Sequence, residues 1–184
     1  EAPGGCALWC CGSVGVRPAA GDVMPAGSAA GRSHRRAIVN VELPRGSGSV
    51  AFVDDQVVCE VVAGAVDAAR NNDLILLGAE VFIENVVVNK RITVSGAGVW
   101  STVVDGGSSG SVFGIDDTIV TISDMTIRNG SAAQGGGILT QGSSADLTLQ
   151  NCEITSNSAS EGAGIYNAAG TVAITVNSIS GNQA

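Results

Sequence analysis

An all-β parallel solenoid is predicted for this chain, and three observations predict it. Three segments have one shape: Val120-Thr-Ile-Ser-Asp-Met-Thr-Ile127, Leu147-Thr-Leu-Gln-Asn-Cys-Glu-Ile154 and Val172-Ala-Ile-Thr-Val-Asn-Ser-Ile179. Each places apolar residues at its first, third, sixth and eighth positions, except that Asn177 holds the sixth position of the last. The intervals repeat as well: Ile122 to Leu149 is 27 residues and Leu149 to Ile174 is 25. Finally, a Gly-rich piece precedes each of the last two segments, Gly135-Gly-Gly-Ile138 and Gly162-Ala-Gly-Ile165, also 27 apart. Period two puts alternate side chains on one face of a strand, and the skip marks a corner after which the same face points inward again. A unit of this length cannot bury its own apolar face and must stack on its neighbours.

The elements follow in order. Residues 1–50 read as an irregular N-terminal segment, possible strands at 37–43 and 50–53 aside, and residues 51–184 as the solenoid. All four prolines and three of the five cysteines precede residue 51, where the charge also changes sign. Residues 1–50 hold five Lys/Arg against three Asp/Glu, and residues 51–184 hold four against fourteen. Cys6, Cys10 and Cys11 lack a fourth ligand at metal-site spacing, and Arg32-Ser-His-Arg-Arg36 reads as a solvated linker. The start at Glu1 has no basic region and no apolar core, unlike a signal peptide, so a fragment or a later true start is expected. Val62, Ala65, Val66 and Ala69 follow helical spacing, which predicts a short N-terminal capping helix over 61–71, closed by Asn71-Asn-Asp73. Such a cap covers the apolar end and open strand edges of a solenoid.

The first coil then begins with Leu74-Ile-Leu-Leu77, followed by Val81-Phe-Ile83, Val86-Val-Val88, Ile92-Thr-Val94, Val103-Val-Asp105 and Val112-Phe-Gly-Ile115. Asp124 and Asn151 stand at the skip, as suits residues that tolerate the left-handed region. Cys152 takes the inward slot that Met125 fills one unit earlier and reads as inert core packing. Gly137 and Gly164 read as structural positions of close backbone approach. The pattern calls for a further Gly-led strand after Gly181, so truncation at the C-terminal end, or pairing of that open edge with something, is expected.

From Cys59 onward the chain resembles the bacterial right-handed parallel β-helix repeat proteins of the pectate-lyase-like superfamily. The residues that carry this are the Cys followed by an Ala-rich helix at 59–69, Ile92-Thr-Val-Ser-Gly-Ala-Gly98 and Thr102-Val-Val-Asp-Gly106. Gly136-Gly-Ile138, Gly162-Ala-Gly-Ile165 and Ile154-Thr-Ser-Asn157 are similar to repeats of polymorphic outer-membrane proteins and adhesin passengers, with Ile in place of Phe. The resemblance implies a right-handed helix, and an extracellular or cell-surface location. Cys59 has Cys6, Cys10 and Cys11 as disulfide partners to choose from, and the sequence does not choose.

Enzymes of that superfamily act on polysaccharides, with a basic group beside calcium-bound carboxylates in lyases or paired carboxylates in hydrolases. The weak catalytic candidates here are Asp116, Asp117 and Asp124, and the weak calcium candidates are Asp105, Asp116 and Asp117. Asp117, Asp124 and Asp146 are expected along one face, with Asp105 joining from the coil before and Arg128 as the nearest base. A solvated turn is the plainer reading of Asp116-Asp117. The only histidine, His34, lies outside the solenoid, which removes Ser-His and Cys-His chemistry there. Among the aromatics Phe82, Trp100, Phe113 and Tyr166, Trp100 is read as a structural plug or an exposed platform.

The net charge of −8 argues against a nucleic-acid partner, and no apolar run reaches 18 residues, so no membrane span is expected. The function expected is a non-catalytic secreted or cell-surface module of adhesin, stalk or passenger type, presenting a polar Ser/Thr/Asn/Asp face to a glycan or surface protein. The alternatives are a fragment of a polysaccharide lyase or glycoside hydrolase, and a self-assembling extracellular fibre subunit joined edge to edge at the C-terminal coil. No cofactor is expected, with calcium the one option.

Overall fold

The computed structural model describes residues 61–184, and before them the backbone of three strands, β1 (Arg36–Val39), β2 (Ala51–Val53) and β3 (Gln56–Cys59). His34, the three early cysteines and any disulfide to Cys59 lie outside the described residues. The chain winds into a parallel β-solenoid of about four turns. The first coil holds β4 (Leu74–Leu77), β5 (Val81–Ile83) and β6 (Val86–Val88), and the second β7 (Ile92–Ser95), β8 (Val103–Asp105) and β9 (Phe113–Asp116). The third holds β10 (Ile119–Arg128), β11 (Ser131–Gln134) and β12 (Ile138–Gln141). The fourth holds β13 (Asp146–Thr155), β14 (Ser158–Glu161) and β15 (Ile165–Asn167), after which β16 (Thr171–Thr175) and β17 (Ser178–Ser180) begin another.

Three faces result. The first sheet runs β16-β13-β10-β7-β4-β1-β3-β2, all parallel except the β2–β3 pair. The second joins β5, β8, the far half of β10, the far half of β13 and β17. The third runs β15-β12-β9-β6. β1 lies ahead of the composition boundary yet pairs with β4, so the first sheet reaches into that segment.

The registers explain the apolar positions. Ile75, Val94, Ile122, Leu149 and Ile174 stack one above another on the first sheet. Phe82, Val104, Ile127, Ile154 and Ile179 do so on the second, and Val86, Phe113, Ile138 and Ile165 on the third. The members of these columns between the end coils are buried. Each fully buried aliphatic side chain contributes about 1.5–3 kcal/mol relative to exposure.

Corners are set by single left-handed residues. Asp124 and Asn151 bend the long strands β10 and β13, and Val176 separates β16 from β17, at φ 58°, 48° and 55°. Asp and Asn are the expected side chains for that conformation, and a β-branched valine is not. Gly135 and Gly162 repeat the device 27 residues apart at φ 63° and 59°. Gly137 serves differently, because a Cβ there would collide with the Gly164 carbonyl of the next coil.

The capping helix α1 (Val62–Ala68) is shorter than predicted and buries Val62, Ala65 and Val66. It has no side-chain N-cap, no acid in its first turn and no base in its last. The first coil supplies both ends instead. Glu84 accepts the Val62 and Ala63 N–H groups, each at 2.9 Å, and Lys90 Nζ donates to the Val66 and Asp67 carbonyls at 3.0 and 2.6 Å. A carboxylate at the N-terminus and an ammonium at the C-terminus also complement the helix dipole.

Candidate functional site

The acidic candidates do not gather on one face as the sequence suggested. They fall on three edges of the coil. Asp124 sits between the first and second sheets, where its Oδ1 accepts from Asn151 Nδ2 at 2.8 Å. Hydrogen bonds from Asn151, then from the Ser123 and Ser95 hydroxyls, hold its carboxyl below the usual value against the opposing effect of burial. Asp105 ends the second sheet. Its Oδ2 accepts from Arg128 Nε at 2.9 Å and Asn129 Nδ2 at 2.8 Å, and its Oδ1 accepts the Gly107 N–H at 3.0 Å. Burial opposes the charge, but Gly107, Arg128 and Asn129 together outweigh it and lower the pKa. Arg128 is therefore an ion-pair partner of Asp105 rather than a base turned toward a substrate.

The third edge leads from the third sheet into the first. Asp116 closes β9 opposite Gln141, and Asp117 turns the chain at φ 48°. Asp117 Oδ1 accepts the Ser144 N–H at 2.8 Å, while Asp146 stands opposite Ile119 and accepts from Thr171 Oγ1 at 2.8 Å. Asp117 precedes β10 and Asp124 bends that strand near its middle, so the two bound opposite ends of its first half, too far apart to share a reacting atom. The reason is topological: seven residues in one coil cross an entire face. Among the described residues no three acidic, His or Cys side chains are grouped so as to hold a metal ion.

Cys152 is 2% exposed, as its slot predicts, and burial pushes its thiol up to about 11. Its sulfur faces the Ile122 and Gln150 carbonyls. One coil on, Asn177 Nδ2 donates to the equivalent Leu149 and Thr175 carbonyls, and Asn177 Oδ1 accepts the Cys152 N–H at 2.7 Å. Cysteine and asparagine therefore fill, in successive coils, the slot that Met125 fills in the third. A second slot went unread in the sequence. Asn157, 1% exposed, accepts the Gly130 N–H at 2.9 Å and donates to the Ile127 carbonyl. Asn182, 25 residues later, receives the Asn157 N–H and side-chain amide and donates to the Ile154 carbonyl. The 25-residue interval shared with Cys152 and Asn177 was the available signal.

The outward surfaces remain as candidates for recognition. Thr93, Thr121 and Thr148 form one outward column on the first sheet, with Ser95, Ser123, Gln150 and Thr175 beside it. On the third sheet Val87, Gly114, Leu139 and Tyr166 form an outward column that alternation alone would have located. Phe82 and Phe113 are core residues, whereas Trp100 is 61% exposed and is not a plug.

No protein-family model matches the chain, and no curated protein or solved structure is significantly similar to it. The protein belongs to the class of parallel β-solenoids. No helix among the described residues is long and apolar enough to cross a membrane.

Proposed function

We propose that this chain is a non-catalytic solenoid module of a secreted or cell-surface protein, offering sheet surface to a glycan or another surface molecule. The observation that carries this reading is that the carboxylates of Asp105, Asp117 and Asp124 are each engaged at a separate corner of the coil. Paired-carboxylate chemistry needs two such groups flanking one bond. The likeness of the Gly-led repeats to adhesin passenger repeats agrees with it. Two outward columns suit recognition: hydroxyls at Thr93, Thr121 and Thr148, and the Leu139–Tyr166 pair, whose ring and methyls fit the C–H face of a sugar.

The test is incubation of the folded chain with acidic and neutral polysaccharides, with and without calcium, alongside a binding screen on the same glycans. Binding without release of unsaturated or reducing ends, weakened by Tyr166→Ala, is the expected result. Release that is lost in Asp117→Ala would replace this reading with a polysaccharide lyase or hydrolase.

A further inference from the structure

Asn129-Gly130 is the only Asn-Gly pair in the sequence. Such a pair is chemically labile, because glycine leaves its backbone nitrogen open to attack the preceding side-chain amide. The Gly130 nitrogen bonds to the Asn129 Cγ, the Cγ–Nδ2 bond breaks, and ammonia leaves with the peptide proton. Water then opens the cyclic imide to aspartate or isoaspartate.

In this fold both reacting groups are engaged. The Gly130 N–H donates to Asn157 Oδ1 at 2.9 Å, a buried bond from the next coil. The Asn129 amide donates to Asp105 Oδ2 at 2.8 Å from the coil before. Gly130 itself cannot be replaced by a larger residue, since a Cβ there would collide with the Gly136 carbonyl. The labile pair is thus fixed by packing and guarded by its two neighbouring coils.

We infer that Asn129-Gly130 is a latent deamidation site, kept closed by Asn157 above and Asp105 below and opened when the coils separate. The product matters to the corner. An aspartate at 129 would exchange the donor facing Asp105 for a second carboxylate, leaving Arg128 to serve both. An isoaspartate would lengthen the backbone at a residue held at φ 55°. Either change would oppose reclosure of the coil, so conversion accumulated while the coils are apart would leave a lasting covalent mark.

The experiment is peptide mapping by mass spectrometry, with enzymatic labelling of isoaspartate, after incubation of the full chain at mildly alkaline pH. Conversion at residue 129 is expected to be at least about tenfold slower in the folded chain than in urea, because it must wait for local opening. Asn157→Ala frees the nucleophile and Asp105→Ala frees the amide, and whichever variant stays folded by circular dichroism should convert faster than the wild type. Equal rates in the folded and urea-unfolded wild type would overturn the inference. A folded variant that converts no faster than the wild type would overturn the roles given to Asn157 and Asp105.

Discussion

Val176 occupies a backbone position that the two preceding coils give to Asp124 and Asn151. Its side chain is 81% exposed, so little burial offsets the left-handed conformation. Val176→Asn is expected to raise stability by about 1 kcal/mol, seen as a higher urea midpoint with an unchanged slope. Cys152 makes an opposite kind of statement. Its folded value of about 11 lies above the ordinary 9.0, so the folded chain keeps a proton that the unfolded chain has lost. Stability from this group is complete below the unfolded value and falls as pH rises through that window. Wild type should therefore lose stability relative to Cys152→Ala between pH 9 and 11, and the thiol should resist disulfide reagents until the chain unfolds. For Asp105 the sign reverses. Its lowered pKa contributes stability above the unfolded value, lost as pH falls through the folded one, so Asp105→Asn should flatten the acid limb of a pH-stability profile. The Cys152 slot was legible in the sequence, because Met125 lies 27 residues earlier in the same phase. The Val176 strain was not, since nothing in the third segment except its alignment says which residue turns the corner.

At the level of elements, α1 shows how a sequence hides its own supports. The spacing of Val62, Ala65 and Val66 announces the helix, but its ends carry no caps. The groups that close them lie about twenty residues away, in the turns around β6, and only the winding of the first coil brings Glu84 and Lys90 to opposite ends of one helix. Removing the carboxylate in Glu84→Ala should cost about 1–2 kcal/mol and speed amide exchange at Val62 and Ala63 before it affects β10 or β13. The acidic residues were misread for a related reason. The sequence puts Asp117, Asp124 and Asp146 along one face, while in a solenoid residues 25–27 apart are neighbours and residues seven apart in one coil occupy different edges. The late coils could be read because each corner there is a single residue. The early ones were obscure because the loops after Ser95 and Asp105 interrupt the interval.

Across the whole molecule, each coil touches mainly the coil before and the coil after, so stability is close to a sum of coil and interface contributions. Damage at one interface should therefore stay local. Gly137→Ala forces the third and fourth coils apart at the Gly164 carbonyl, and a loss of about 1–3 kcal/mol is expected. Hydrogen exchange would show the faster amides around β12 and β15, with the first coil and α1 unchanged. The overall architecture was the most legible scale, because it is written several times over in one phase. Recognition was the least legible, because outward residues answer to a partner and not to the stack.

The edge that Asp124 and Asn151 turn in one step is spanned in the second coil by Gly96–Thr102, and Ser95 and Val103 nonetheless keep register with Ser123 and Thr126. Its amides tie it down, with Gly98 N–H donating to the Asp124 carbonyl and Trp100 N–H to Thr126 Oγ1. The scaffold has thus already accepted an insert at this vertex. It offers a docking port for protein engineers, where a foreign epitope could replace Trp100 and its neighbours and be displayed at a fixed coil of the stack.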